Sequence, residues 1–412
     1  MKVYFKTFGC RVNQYETQTL RENLLCDGDE EVSDFLQAEL CVVNTCTVTR
    51  AADRDALQLL RRITKRNPAA RVVVLGCGAT RAPEELRTAA PSALVVGHRD
   101  RDRVRELLGL PEASFHGIRG AAGRARALVK VQDGCDRACA YCIVPVVRPS
   151  VSSRPLEEVS LEVEGLVGGG FREIVLCGIR LGRYEAPDAR GTDLAGLTAR
   201  LVSLPGDFRV RFSSLEFDEL SDPLIGLAAR SEGRLCPSFH LPLQSGSDRT
   251  LARMGRWYTA GEYSKRVEAL RKSLPGAGLF TDVMVGFPGE TREDFETTVA
   301  VIRELRFSGL HVFRYSKRQG TRAAEMPDQV PAEESAERAE TLRKVDRELR
   351  RRFANEAVGS RRRVLVEERG EEVTATTDHF LRVRLERDPG EGFAWARVSA
   401  VKGDLALATV EQ

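Results

Sequence analysis

The chain has 412 residues, 63 Lys and Arg against 60 Asp and Glu, 42% hydrophobic residues and a net charge of +3. That length predicts two or three domains with apolar material for real cores, and no apolar run approaches the ~18 residues of a membrane span. Composition excludes collagen-like, low-complexity and disordered chains. The opening residues Met1–Cys10 read as a strand and not as a signal peptide, which predicts a cytoplasmic protein. There its ten cysteines stay reduced and serve as core filler, catalytic thiols or metal ligands. The small net charge predicts no nucleic-acid binding by itself and still permits a local basic patch.

Through about residue 118, VYFKTF, ELCVVNT, RVVVLG and SALVVG read as short buried strands. Helical patterns at Tyr15–Leu25, Ala51–Arg66 and Pro83–Ala89 separate them, which predicts a parallel sheet covered on both faces. Gly117–Ala127 reads as a linker. Six further strands are expected in ALVKVQDG, REIVLCGI, RVRFSSLE, SFHLPLQS, LFTDVMVGF and LHVFRYS, with helices such as Pro155–Val167 and Arg292–Leu305 between them. Repeated βα units of about 33 residues make either an open sheet or an incomplete barrel. Residues 332–355 hold no Gly or Pro and read as one long charged helix. The short alternating segments after Gly359 predict a small all-β barrel of about 50 residues.

Cys135, Cys139 and Cys142 form C-x3-C-x2-C directly after a predicted strand. Crowded thiolates bind soft metals, and zinc wants a fourth ligand that the neighbourhood lacks. Three thiolates on a 4Fe-4S cluster leave one iron open to a small molecule; a zinc knuckle or clustered core thiols is the alternative. Cys10, Cys46 and Cys77 each end a predicted strand, and in a parallel sheet those ends converge on one edge. They read as a second open cluster site, or else as three ordinary buried thiols. Cys26, Cys41, Cys177 and Cys236 are left out of the metal assignment, and His240 is read as a core histidine.

GCDRACAYC, with Tyr141 before its third cysteine, resembles the CxxxCxxC loop of radical S-adenosylmethionine enzymes. The chain as a whole is similar to the methylthiotransferases. TFGCRVNQYET, VQDGCDRACAYCIVP, HLPLQSGSDRTLARM, TDVMVGFPGETREDF and HVFRYSKRQGT resemble most the subgroup acting on tRNA threonylcarbamoyladenosine. The resemblance implies an α/β fold in three parts. These are an N-terminal parallel α/β methylthiotransferase domain over 1–118, a radical-SAM partial (βα)6 barrel with trailing helix over 119–355, and a C-terminal all-β TRAM barrel over 356–412.

It also implies two 4Fe-4S clusters and S-adenosylmethionine as cofactors. Cys135, Cys139 and Cys142 would hold the cluster that chelates and cleaves S-adenosylmethionine; the resulting radical takes hydrogen from C2 of the adenine. Cys10, Cys46 and Cys77 would hold the auxiliary cluster carrying the inserted sulfur, and a second S-adenosylmethionine supplies the methyl group. The implied product is 2-methylthio-N6-threonylcarbamoyladenosine at position 37. The same chemistry on isopentenyladenosine tRNA or a ribosomal-protein aspartate is the alternative, and a zinc-bound RNA-binding protein the non-enzyme one. Implied partners are tRNA, a flavodoxin- or ferredoxin-like electron donor and a sulfur donor, with no membrane.

Tyr141, Glu216, Gln244, Ser245 and Val285 are implied to line the S-adenosylmethionine site, against loop packing, loop capping and, at GFPGE, a plain turn before a helix capped at Thr291. Arg350, Arg351, Arg352, Arg361, Arg362 and Arg363 make a candidate phosphate-contacting stripe, against a solvated helix face. Phe380 and Trp395 read as barrel packing or as base-stacking rings. The chain departs from the family pattern at Arg148–Pro149 and Val151–Ser152, where a basic Gly-containing stretch is usual, and at Arg314, where Pro is common.

Overall fold

The structure is a computed structural model that describes residues 1–25, 28–110, 117–120, 125–403 and 405–411. Cys26 and part of the expected 117–127 linker lie outside the described residues.

Five parallel strands open the chain: β1 (Lys2–Thr7), β2 (Glu30–Glu31), β3 (Leu40–Thr45), β4 (Arg71–Gly76) and β5 (Leu94–Val95), in the order β2-β1-β3-β4-β5. Every residue of β3 is buried. Leu40 and Val42 join a core with Leu20 and Leu24 of the helix Arg11–Leu25. Cys41 and Val43 join another core with Leu59, Leu60 and Ile63 of the helix Arg50–Arg66. Strand alternation therefore feeds two cores, and the sheet is covered on both faces as its continuous apolar strands require.

The middle of the chain places β6 (Arg126–Asp133), β8 (Glu173–Gly178) and β9 (Arg209–Phe212) side by side, with the short antiparallel β7 (Ser152–Ser153) at the edge. β10 (Ser238–His240), β11 (Gly278–Val285) and β12 (Gly309–Arg314) form a second parallel set, joined to the first through a bridge between Val210 and Leu235. Six parallel strands in chain order, with helices outside, make a partial barrel. Val129, Ile174, Leu176, Val210, Phe239, Leu279, Val283 and Leu310 face outward into the main core with those helices. β10 ends at His240, beyond which Thr281 Oγ1 replaces the backbone ladder, donating to Leu241 O at 2.6 Å and accepting from Leu243 N at 2.8 Å. The helix Arg292–Leu305 carries a capping box at Thr291 and Asp294.

The helix Ala332–Ala357 buries Ala339, Leu342, Val345 and Leu349 against the partial barrel, then gives Ala354 and Ala357 to the core of the C-terminal barrel. That barrel closes in the order β13-β14-β15-β17-β16, from β13 (Arg361–Glu368), β14 (Val373–Thr377), β15 (Arg382–Leu385), β16 (Phe393–Lys402) and β17 (Leu405–Val410). Among the described residues, no helix is long and apolar enough to cross a membrane.

Candidate functional site

The chain leaves β1, β3 and β4 at one edge of the N-terminal sheet, and Cys10, Cys46 and Cys77 follow those strand ends directly. Cys46 and Cys77 are buried and Cys10 is exposed. Gly9 has φ +108°, and a Cβ there would lie 2.7 Å from Cys46 Cβ and 2.9 Å from its Sγ. Only glycine lets the backbone pass this close to the thiol. The Val48 amide donates to Cys46 Sγ at 3.4 Å. Burial pushes the Cys46 thiol up and the Cys77 thiol up to about 11, so metal capture has to displace protons.

The second trio occupies the loop after β6. Gly134 opens it at φ +77°, where a Cβ would sit 1.9 Å from the Ser150 carbonyl oxygen. The loop is pinned by Cys135 N donating to Arg148 O at 3.2 Å, Ala140 N to Met254 O at 2.7 Å and Ala323 N to Ala140 O at 2.8 Å. All three cysteines are half-buried, and burial pushes the Cys142 thiol up to about 12. The Arg137 amide donates to Cys135 Sγ at 3.4 Å. Arg256 Nη1 lies 3.5 Å from Cys139 Sγ while pairing with Glu216. Two sets of three soft donors, each met by N–H groups and cleared by a glycine, fit open iron–sulfur sites.

Between the trios lies a buried ionic cluster. Arg148, 1% exposed, donates from Nε to Cys77 Sγ at 3.3 Å and from Nη1 to Glu16 at 2.7 Å and Asp133 at 2.8 Å. Its Nη2 reaches Asn13 at 3.1 Å and Glu16 at 2.8 Å. Lys130 Nζ bonds the same two carboxylates at 2.9 and 3.0 Å, and Arg101 pairs with both. Burial acts to raise both carboxyl pKa values, and the facing cations, Lys130 and Arg148 foremost, outweigh it and hold them well below the usual range. Glu16, His98 and Asp133 come close enough together to ligate an ion, but these three cations already neutralise them. One residue thus touches a cysteine of each trio, its side chain at Cys77 and its carbonyl at Cys135.

The remaining expected residues are placed unevenly. Tyr141 packs edge-on to Phe287 at 6.4 Å, in an apolar group with Met254 and Met284. Glu216 faces the cysteine loop through Arg256. Gln244 takes φ +66° and continues the β11 ladder with its backbone. Ser245 is buried, its Oγ 3.1 Å from Thr298 Oγ1, so it braces the loop. Val285 packs into the outer core; strand alternation turns its neighbour Met284 toward Tyr141 instead. Cys177 is buried on the interior side of β8.

Arg350 is tied to Asp346 at 2.9 Å, Arg352 to Phe307 O at 2.9 Å, Arg361 to Glu411 at 2.7 Å, Arg362 to His379 at 3.0 Å and Arg363 to Asp207. Arg351 faces solvent with no ion pair among the described residues. The six arginines therefore do not form one free stripe. Phe380 plugs the barrel floor against Phe280, ring centroids 5.5 Å apart. Trp395 is 43% exposed, with Arg361 stacked at 4.2 Å, so a closed barrel leaves it outside. Sequence reading passed over Asn13, Glu16, Lys130, Asp133 and Arg256. The one signal for the first two was their spacing after Cys10 on the first helical turns.

Residues 2–97 match Uncharacterized protein family UPF0004, and residues 129–302 match the Radical SAM superfamily. The threonylcarbamoyladenosine tRNA methylthiotransferase MtaB of Chlamydia pneumoniae is 36% identical over 382 residues, covering 91% of this chain and 89% of that protein. The MtaB of Thermotoga maritima is 35% identical, covering 89% and 86%. The tRNA-2-methylthio-N(6)-dimethylallyladenosine synthase of Solibacter usitatus is 34% identical, also covering 89% and 86%. Among solved structures, the radical S-adenosylmethionine methyltransferase TsrM from Kitasatospora setae, with cobalamin and a 4Fe-4S cluster bound, has TM-score 0.57 at 15% identity, covering 78% of this chain and 77% of that one. That likeness concerns the fold. With a radical-SAM partial barrel, an N-terminal three-cysteine domain and relatives of this identity along nearly its whole length, the chain belongs to the radical S-adenosylmethionine methylthiotransferases of tRNA modification.

Proposed function

We propose that the chain inserts a methylthio group at C2 of N6-threonylcarbamoyladenosine at position 37 of tRNA. The observation that carries this reading is the meeting of the two cysteine trios across Arg148, which supports a radical-generating site working beside a sulfur-holding one. Cys135, Cys139 and Cys142 would hold one 4Fe-4S cluster, and Cys10, Cys46 and Cys77 would hold a second. With clusters and S-adenosylmethionine bound, the chemistry supplied is reductive cleavage that removes the C2 hydrogen and delivery of sulfur and methyl to that carbon. The protein's own part is to orient and to exclude water. Glu216 and Arg256 brace the cysteine loop, Tyr141 and Met284 offer an apolar wall for the adenine of S-adenosylmethionine, and Gln244 shapes the adjoining backbone.

The tRNA docks across Arg351 on the long helix and the Arg361–Trp395 stack on the outer face of the C-terminal barrel, which offers a cation and an aromatic ring together. The protein works in the cytoplasm with a flavodoxin- or ferredoxin-like reductant and a separate sulfur donor. A prenylated adenosine is the second reading, favoured by the Solibacter relative at nearly the same identity. Mass spectrometry of tRNA nucleosides from a deletion strain separates the two. Loss of methylthio-threonylcarbamoyladenosine supports the proposal, and loss of the methylthio-isopentenyl nucleoside alone replaces it with the second reading.

A further inference from the structure

β11 has two faces of different character. Leu279, Val283 and Val285 turn outward into the main core, so Phe280, Asp282 and Met284 turn into the barrel interior. Phe280 meets Phe353 and Phe380 at centroid distances of 6.3 and 5.5 Å, which closes the floor. Met284 packs with Tyr141 at the cysteine loop, which marks the reactive end. Asp282 lies between them, about 6–7 Å along the strand from Met284.

Asp282 is in register with His311 on β12. Its Oδ1 is 2.9 Å from His240 Nε2 and 3.2 Å from His311 Nδ1, and the two imidazoles are 5.0 Å apart. The side chains of His240, Asp282 and His311 are 18%, 20% and 52% exposed, so the group opens to the interior. Among the described residues, Asp282 pairs with no Lys or Arg. Asp282 Oδ2, His240 Nδ1 and His311 Nε2 have no partner there either. The three ligating atoms sit close enough together for a cation. Neither imidazole, however, has the carboxylate or carbonyl behind its other nitrogen that orients a metal-bound histidine. The group instead presents solvent-accessible polar atoms unpaired among the described residues, set for a ligand that brings N–H and O–H groups.

Across the interior is a cation with no anion. Arg11 begins the helix after Cys10 and is half-buried. Its electrostatic neighbours are Cys177, Arg126, Arg211 and Glu173, all on inward faces of β6, β8 and β9. Glu173 is already taken by Arg126, Arg209 and Arg211. Arg11 makes no ion pair or hydrogen bond among the described residues. A guanidinium so placed fits a carboxylate in bidentate fashion.

We propose that this interior is a selectivity pocket for an acidic N-carbamoyl amino-acid substituent on the target base, with Arg11 taking its carboxylate and His240, Asp282 and His311 accepting from its N–H and hydroxyl groups. The inference rests on the threonylcarbamoyladenosine reading and assigns the residues behind it. A prenyl chain gives these groups nothing to bond and leaves them desolvated without partners, the arrangement by which a polar site rejects an apolar analogue.

The test uses the full chain, reconstituted anaerobically, and fluorescence anisotropy with anticodon stem-loops carrying threonylcarbamoyladenosine, isopentenyladenosine or plain adenosine at position 37. The wild type binds the first at least about tenfold tighter than the other two. Arg11→Gln and His311→Phe each erase most of that preference while plain-adenosine binding and iron content hold, and Arg11→Lys restores part of it. A preference unchanged in both variants overturns the pocket and leaves the substrate reading standing. A wild-type preference for the isopentenyl RNA overturns both. Stoichiometric zinc or manganese that disappears in His311→Phe overturns the pocket in favour of a metal site.

Discussion

At the scale of single residues, Arg148 is the most consequential side chain of the site. Its removal strands two carboxylates with incomplete neutralisation, and breaking a buried pair costs about 3–5 kcal/mol. Arg148→Met is therefore expected to lower the urea midpoint of unfolding with little change in slope, and a midpoint within error of the wild type would refute this account of the cluster. Gly9→Ala drives a methyl into Cys46 and asks for a disfavoured φ. Iron per chain should fall to about half, the share of one of two equal clusters, while S-adenosylmethionine-binding spectra of the other site persist; full iron content would show the glycine is not needed.

The six cysteines were legible because each trio announces itself, one by crowding and one by recurring at strand ends. Arg148 was legible only as a departure from a family pattern. Its partner Glu16 lies 132 residues earlier, and no local pattern pairs residues so far apart. His240 read as a core residue because its strand neighbours are apolar. The structure turns it inward to Asp282, a contact made through β10–β11 pairing that one strand's sequence does not contain.

At the scale of elements, period and length explain what was readable. The apolar runs of β3, β4, β6 and β8 and the long helix Ala332–Ala357 stand where composition and periodicity put them. β2 and β7 have two residues each, too few to carry a period, and exist because a longer neighbour offers a free edge. The start of the helix Arg292–Leu305 was readable from its cap at Thr291, whereas the same box at Thr259 starts a helix that sequence reading did not single out. Thr259 accepts from Glu262 N, and the Glu262 side chain accepts from Thr259 N. Thr259→Ala at this exposed cap should cost about 1 kcal/mol, read as a lower thermal midpoint with the iron content intact. An unchanged midpoint would mean that packing alone holds the helix Ala260–Ser273.

At the scale of the whole molecule, Glu173 pins the C-terminal barrel to the partial barrel. It is fully buried and bonds Arg209 at 2.6 Å and Arg211 at 2.8 Å. Those arginines donate onward to the carbonyls of Arg363, Thr376, Thr377 and Asp378 in the C-terminal barrel. Burial acts to raise the Glu173 pKa, and Arg211, Arg209 and Arg126 overcome it and hold the carboxyl below the usual range. Its contribution to stability is therefore full above the ordinary carboxylate value near ~4.3 and fades as pH falls through the depressed one. Glu173→Gln should flatten that acid dependence and expose the 356–361 segment to limited proteolysis; an unchanged acid profile and cleavage pattern would place the anchor elsewhere. This hub was not readable, because its charges come from three strands and meet the other barrel through backbone carbonyls and the ion pair of Arg126 with Glu367, contacts that no single stretch of sequence contains.

Two separate three-thiolate sites meeting across Arg148 require a definite iron stoichiometry, and counting iron decides whether both exist. Anaerobically reconstituted wild type should carry about eight irons per chain, four for each cluster. Replacing Cys135, Cys139 and Cys142 with Ala, or Cys10, Cys46 and Cys77 with Ala, should leave about four in each case. A wild type with about four irons, or one in which removing either trio abolishes all iron, would contradict the two-site account.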